Sequence, residues 1–170
     1  GCRIVCGLVG LFSPVASPEV QTLISMSKSL VHRGPDDAGV WVQDGVGLAH
    51  QRLSVVDLSA AGQQPMVSHS GRWVLCYNGE IYNFEAIRKW LPEAKWRGHS
   101  DTEVIRQAFE HWGVHRAVQQ FVGMFAFAAY DTERKELWLG RDRLGIKPLY
   151  FGWLGQDFAF ASELSPFKLL

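Results

Sequence analysis

The chain has 170 residues, 47% of them hydrophobic and 20% charged, which suffices for one domain with its own core and excludes a disordered chain. Lys+Arg and Asp+Glu balance at 17 each, so no overall charge draws the chain to nucleic acid or an acidic membrane surface. No apolar run reaches the length of a membrane span, the first residues lack a secretory h-region, and three cysteines (Cys2, Cys6 and Cys76) are too few for a disulfide framework. A soluble cytoplasmic protein is expected.

Residues 4–12 form a continuous apolar, glycine-containing run that predicts a buried strand. Ser17-Pro18-Glu19 has the form of a helix cap, a first-turn proline and a first-turn acid. The spacing of Val20, Leu23, Ile24, Ser27, Leu30 and Val31 then predicts a helix to about His32. Arg33-Gly34-Pro35-Asp36-Asp37 is turn chemistry. Residues 40–42, 46–50 and 53–56 read as short strands, with Asp44-Gly45 as a hairpin turn. Residues 73–77 predict another strand that delivers Asn78-Gly79 at its end. Asn83 is placed to cap a helix over 84–91, with Pro92 just after it.

Ser100 or Asp101 starts a helix through Trp112 that Gly113 stops, and 115–120 predicts a further turn or two. Residues 124–130, 136–140, 149–153 and 158–161 predict successive strands, and 163–170 a closing helix. Strand groups at both ends with helices between them exclude a simple βαβ array. They predict an α+β fold of two mainly antiparallel sheets packed together with helices outside. Most of the seven Trp and ten Phe are expected in the core, and a minority on a surface that another domain covers.

Cysteine is the most nucleophilic side chain at neutral pH and acts as a thiolate. When it is the first residue of a mature chain, its own α-amine, titrating near ~8 in model peptides, is a ready base. A lone cysteine in an apolar strand is otherwise an inert core residue, the reading kept for Cys76. Asn-Gly is by itself a hairpin turn. The six histidines have no metal-ligand spacing, and Cys2 and Cys6 without a second pair do not make a zinc site, so no metal is expected.

Eight stretches in order along the chain carry more than any one of them alone. They are Cys6-Gly7-Leu8-Val9-Gly10, His32-Arg33-Gly34-Pro35-Asp36-Asp37, Gln51-Arg52-Leu53-Ser54-Val55-Val56-Asp57-Leu58, Gln64-Pro65-Met66, Tyr77-Asn78-Gly79-Glu80-Ile81-Tyr82-Asn83, Ser100-Asp101-Thr102-Glu103-Val104, Gly123-Met124-Phe125-Ala126-Phe127, and the run from Arg141-Asp142-Arg143 to Tyr150. With them the chain resembles the glutaminase domain of class II glutamine amidotransferases, in the asparagine-synthetase branch. The resemblance implies an αββα four-layer N-terminal-nucleophile hydrolase sandwich over residues 6–170.

The activity that the resemblance implies is hydrolysis of L-glutamine to glutamate and ammonia. Cys6 would be the nucleophile, its freed α-amine the base and then the acid, and Asn78 with Gly79 the oxyanion hole. The substrate's α-carboxylate suits Arg52, because guanidinium pairs bidentately with carboxylate. Its α-ammonium suits Asp101, with Glu80 in the same pocket and Leu53, Ser54, Val55 and Val56 along the other wall. Asp36 and Asp37 are read as turn residues, and the segment from Arg141 to Tyr150 as architectural or as an interface to a second domain. The implied partner is an ATP-dependent synthetase module, to which any ATP and Mg would belong, in a full enzyme that forms a homodimer. This domain itself needs no cofactor.

Two departures from the family pattern stand out. Residues 1–5 precede Cys6 and, uncut, convert its α-amine into an amide. They are read as a leader, an extension or a cloning remnant; the preferred explanation is a start codon at Val5. No Ser-Gly-Gly-x-Asp phosphate loop occurs in the 170 residues, so the ammonia acceptor, aspartate by family default, is not named by the sequence. The first rival reading is a catalytically silent interaction or regulatory domain. The second is an N-terminal-nucleophile hydrolase with another amide substrate, which the pairing of Arg52 with Asp101 disfavours.

Overall fold

The apolar run after Cys6 forms β1 (Gly7–Phe12), buried along nearly its whole length. The computed structural model describes residues 6–30, 37–52, 63–92, 94–96, 98 and 100–170, with Asp37, Ala38 and Arg52 described only by their places in the strand ladders. The other strands among these residues are β2 (Asp37–Gln43), β3 (Val46–Arg52), β4 (Met66–Val67), β5 (Trp73–Ile81), β6 (Gly123–Asp131), β7 (Glu136–Arg141), β8 (Tyr150–Leu154) and β9 (Asp157–Ala161). They make a five-stranded sheet in the order β2-β3-β1-β9-β8 and a four-stranded sheet in the order β4-β5-β6-β7. Every ladder is antiparallel.

The helices are α1 (Val20–Lys28), α2 (Phe84–Trp90) and α3 (Asp101–Gln120). Helix α1 lies on the five-stranded sheet, and α3 lies on the four-stranded sheet beside α2. Three apolar clusters fill the three gaps between these four layers. Leu23, Met26 and Leu30 meet Val9, Leu11 and Ala159 under α1. Leu8, Leu48, Val74, Cys76, Tyr130 and Phe160 pack between the sheets. Leu75, Tyr77, Ile105, Phe109 and Phe127 pack under α2 and α3. The expected αββα sandwich is the observed one.

Several elements differ from the sequence reading, each for a local reason. Helix α1 begins after Glu19, whose extended backbone (ψ 135°) is the cap and makes no side-chain cap bond. The first helical bond runs from Leu23 N–H to the Glu19 carbonyl, so Ser17 and Pro18 precede the helix. Asp37 opens β2 opposite Arg52 rather than closing a turn. Strand β5 continues four residues past Tyr77, so Asn78-Gly79 lies inside a paired strand. Asn83 stands at the cap of α2 but spends its side chain elsewhere, donating to the Gln120 carbonyl and accepting from Val122 N–H. The two-residue β4 is too short for a period-2 signal, and the closing segment Ser165–Leu169 is a single 3₁₀ helix.

Other expectations hold in detail. Asp44-Gly45, with both φ angles positive, makes the β2–β3 hairpin. Ser100 caps α3 by accepting from Glu103 N–H at 3.3 Å, and Gly113 (φ 74°, ψ 167°) divides that helix into two helical segments. No helix among the described residues is long and apolar enough to cross a membrane. Most Trp and Phe residues are buried in the core clusters or packed against them, but Trp90, Phe151 and Trp153 are more than half exposed, the last two on the edge strand β8.

Close packing across β1 is tight enough to test. A Cβ on Gly10 would lie 1.9 Å from the Phe160 ring, which is fully buried. Gly10→Ala is expected to destabilise the protein by about 1–3 kcal/mol. Phe160→Leu in the same chain should return part of that loss, read by urea denaturation of the single and double variants.

Candidate active site

Three contacts fix how the sheets face each other. At one end, Tyr130 on β6 approaches the β2–β3 hairpin, its hydroxyl 3.5 Å from Asp44 Oδ2. Midway, Cys76 on β5 points its Sγ at the Ala49 carbonyl of β3, 3.9 Å away. Toward the other end, Gln64 reaches both sheets. Its Oε1 accepts from Tyr77 N–H at 2.6 Å, and its backbone carbonyl lies against Gly39 of β2, where a Cβ would come within 1.8 Å. The final residues of β3, the first residues of β1 and the Asn78-Gly79 segment of β5 are therefore gathered at one end of the sandwich.

Cys6 stands there, immediately before β1, half-buried and unpaired. Gly7 is opposite Gln51 in the ladder, so Cys6 emerges beside the Arg52 end of β3. Cys76 is the opposite case. It is fully buried, and desolvation pushes its thiol well above the ordinary range, which makes it an inert core residue. The side chain of Arg52 and all of Leu53, Ser54, Val55 and Val56 lie outside the described residues, as do the predicted strand 53–56 and the loop through Asp36.

Asn78 and Gly79 sit opposite Ala126 and Phe125 of β6. Gly79 holds φ +139°, and a Cβ there would fall 2.0 Å from the Met124 carbonyl oxygen. Only glycine tolerates this combination of dihedral and backbone approach. Asn78 is 2% exposed, and its Oδ1 is buried with no hydrogen-bond partner among the described residues. An orphaned buried amide oxygen costs stability and calls for a functional reason. Glu80, half-buried, follows directly.

Asp101 opens α3 and reaches back to β5. Its Oδ2 accepts from the Tyr77 hydroxyl at 2.9 Å and from Ile81 N–H at 3.1 Å. Ser100, not Asp101, is the helix cap, which leaves the Asp101 carboxylate available to face β5. Burial, and then the charge and hydrogen bond of Asp101, hold the Tyr77 phenol far above its ordinary pKa, so it is always a donor.

Behind Gly79, the start of β6 is locked by the loop after β7. Asp142 takes four backbone donors, Phe125 and Lys147 on Oδ2 and Leu144 and Ile146 on Oδ1, at 3.0–3.2 Å. Arg141 closes the other side, donating at 2.6 Å to the carbonyls of both Lys147 and Gly145. Desolvation raises the Asp142 pKa, but the four donors outweigh it and hold the carboxyl below the usual carboxylate range. Leu144 and Ile146 project from this rigid loop, 85% and 54% exposed.

Of the residues singled out from sequence, the fold thus brings Cys6, Asn78, Gly79 and Glu80 to one end of the sandwich. Asp101 is held against the same stretch of β5. Gln64, Tyr77 and Asp142 were quoted within motifs but given no site role. The signal that they matter is a contact across elements, which spacing along the chain does not contain.

Comparison with known proteins then decides the family. A sequence profile described as "Glutamine amidotransferase domain" matches residues 5–169. The chain belongs to that family. It is 40% identical to asparagine synthetase (glutamine-hydrolyzing) 3 of Bacillus subtilis over 94% of its own length and 27% of the relative's. It is 39% identical to asparagine synthetase B (glutamine-hydrolyzing) of Escherichia coli over 88% of this chain and 27% of that protein. The chain therefore spans about a quarter of the length of these relatives. Among solved structures, the glutamine phosphoribosylpyrophosphate amidotransferase of B. subtilis, complexed with ADP and GMP, superposes with a TM-score of 0.80 over 96% of this chain and 43% of that one. At 20% identity, that likeness shows that the two share a fold.

Two outcomes are expected from this amidotransferase domain. Gly79→Ala should disturb the β5–β6 register locally, lowering both thermal stability and any activity that uses Asn78, checked by melting and by assay. Asp142 has a depressed folded pKa, so its contribution is complete above the unfolded value of about 4 and is lost as pH falls through the folded value. Asp142→Asn should be less stable than the parent at pH 7 and lose less stability on acidification from about pH 5. Denaturant titrations at several pH values read both effects.

Proposed function

We propose that this domain hydrolyses L-glutamine to glutamate and ammonia, and hands the ammonia to an asparagine-synthetase-like, ATP-dependent amidation carried out by another module. The observation that carries the reading is the distorted strand at Asn78-Gly79. It is a paired strand that holds a glycine at positive φ directly after a buried asparagine, whose side-chain NH2 is a hydrogen-bond donor. Secondary structure alone has no use for that arrangement, whereas a tetrahedral intermediate needs a side-chain amide and an unobstructed backbone N–H aimed at one point. The family match and the names of the relatives support glutamine as the amide.

In this reading the Cys6 thiolate attacks the side-chain amide carbon of glutamine. The oxyanion is held by the Asn78 amide and the Gly79 N–H. The C–N bond breaks, and the leaving nitrogen takes a proton from the α-ammonium of Cys6 and departs as ammonia. Water then attacks the thioester, with the same amine as base, to release glutamate and restore the thiol. Arg52 pairs with the substrate carboxylate. Asp101 and Glu80 receive its ammonium, and backbone groups of residues 53–56 line the remaining wall.

The amine, the thiol and the amide donors suffice for this chemistry, so the domain is assigned no cofactor, and ATP and Mg belong to the synthetase module. A reducing cytoplasmic setting suits a free cysteine nucleophile. No nucleic acid or membrane partner is assigned.

The test is a variant with the nucleophile removed. In a preparation whose amino terminus is Cys6, confirmed by intact mass, glutamine should be hydrolysed. Cys6→Ala should still bind glutamine by calorimetry, with turnover lower by about 10⁴-fold or more. Retained turnover would overturn the mechanism. Glutamine hydrolysed no better than simple acyl-amides would overturn the choice of substrate.

A further inference from the structure

The Tyr77–Asp101 contact joins two elements that carry different parts of the candidate site. Asp101 belongs to the first turn of α3, and Tyr77 directly precedes Asn78 on β5. Both donors to Asp101, the Tyr77 hydroxyl and Ile81 N–H, converge on one oxygen, Oδ2. No other described residue donates to the carboxylate, and Oδ1 accepts from none of them. Tyr77 is 3% exposed, in the apolar cluster that also holds Leu75, Ile105 and Phe127. The Asp101 carboxylate, by contrast, is half-buried. Without the phenol only Ile81 N–H would hold Oδ2, and a half-buried carboxylate with one donor turns more freely and shares its oxygens with water.

We propose that Tyr77 is the positioning residue that turns Asp101 Oδ1 toward the α-ammonium of the substrate, making the pocket selective for an amide that carries a free α-amine. The inference rests on the glutaminase reading above and on the role given there to Asp101. Tyr77 sits on the helix side of β5 with Leu75 and Trp73, while Cys76 packs between the sheets. Its ring therefore lies on the face of β5 away from Cys76, and its hydroxyl meets Asp101.

The experiment compares two substrates in the protein with Cys6 at its amino terminus. L-glutamine carries the α-amine, and 4-carbamoylbutanoate is the same amide acid without it. Tyr77→Phe should raise KM for glutamine about 2- to 12-fold, the range that the net worth of a typical hydrogen bond corresponds to. It should leave kcat within about twofold and leave kcat/KM for 4-carbamoylbutanoate unchanged. Asp101→Asn should lose the same preference, and adding Tyr77→Phe to it should change nothing further.

An equal fall on both substrates would mean that Tyr77 supports the strand rather than the ammonium site, and would overturn the inference while leaving the glutaminase reading intact. So would an unchanged preference in a Tyr77→Phe protein of normal circular dichroism. If Tyr77→Phe fails to fold, the Asp101→Asn comparison decides: an undiminished preference for glutamine there overturns the inference too. No glutamine hydrolysis by the parent protein would overturn both proposals.

Discussion

The alignment of one sheet over the other is the constraint from which the rest of this domain follows. Neither sheet alone contains the candidate site. The five-stranded sheet contributes the start of β1 with Cys6 and the end of β3, and the four-stranded sheet contributes Asn78 and Gly79. Apolar packing between the sheets is strong but non-directional, and it does not by itself fix the offset of one sheet along the other. The directional contacts do so, and Gln64 is the one nearest the site. It lies two residues before Met66, at the position where a fourth residue of β4 would pair with Tyr77, and supplies a side-chain carbonyl in place of a backbone one. Its own backbone carbonyl meanwhile requires a glycine opposite, at Gly39.

Around that alignment, polar groups hold backbone in shapes that apolar burial does not enforce. Asp142 and Arg141 clamp the loop after β7 from opposite sides, and through Phe125 they reach the residue opposite Gly79. At the far end, Asp131 performs a similar task. It forms a bidentate pair with Arg72 at 2.8–3.0 Å while also accepting from Glu133 and Arg134 N–H in the β6–β7 turn. In both places a buried carboxylate takes several backbone donors, a more dependable source of local order than an exposed ion pair.

What the sequence conveyed follows from which interactions are local. Hairpins, the Gly113 break and the Ser100 cap are set by neighbours in the chain, and they were legible. The layered fold followed from the order of strand and helix patterns, and Cys6, Asn78 and Gly79 from motifs quoted together. The misreadings arise where a distant partner overrides a local preference. Asn-Gly favours a turn, but nine rungs of pairing with β6 carry the strand through it to Ile81. Asn83 favours capping, but its amide is claimed by the end of α3 and by Val122, the residue before β6. The role of Tyr77 was invisible because the aromatic belongs to the apolar pattern of β5, and only its hydroxyl, meeting a helix more than twenty residues away, departs from it.

Strand β1 lies between β3 and β9, and the Leu8 N–H is bonded to the hydroxyl of Ser162, 154 residues later. On a ribosome, the segment that bears Cys6 emerges well before its second neighbour in the sheet, which the Leu8–Ser162 bond places 154 residues later. Until β9 arrives, β1 has one open edge and the Gly10 hollow has no Phe160 to fill it. Pairings so distant in sequence are slow to close. The end of the sheet that carries Cys6 is thus completed only when nearly all of the domain has been made, and translation itself sets the earliest moment at which the thiol is held in place.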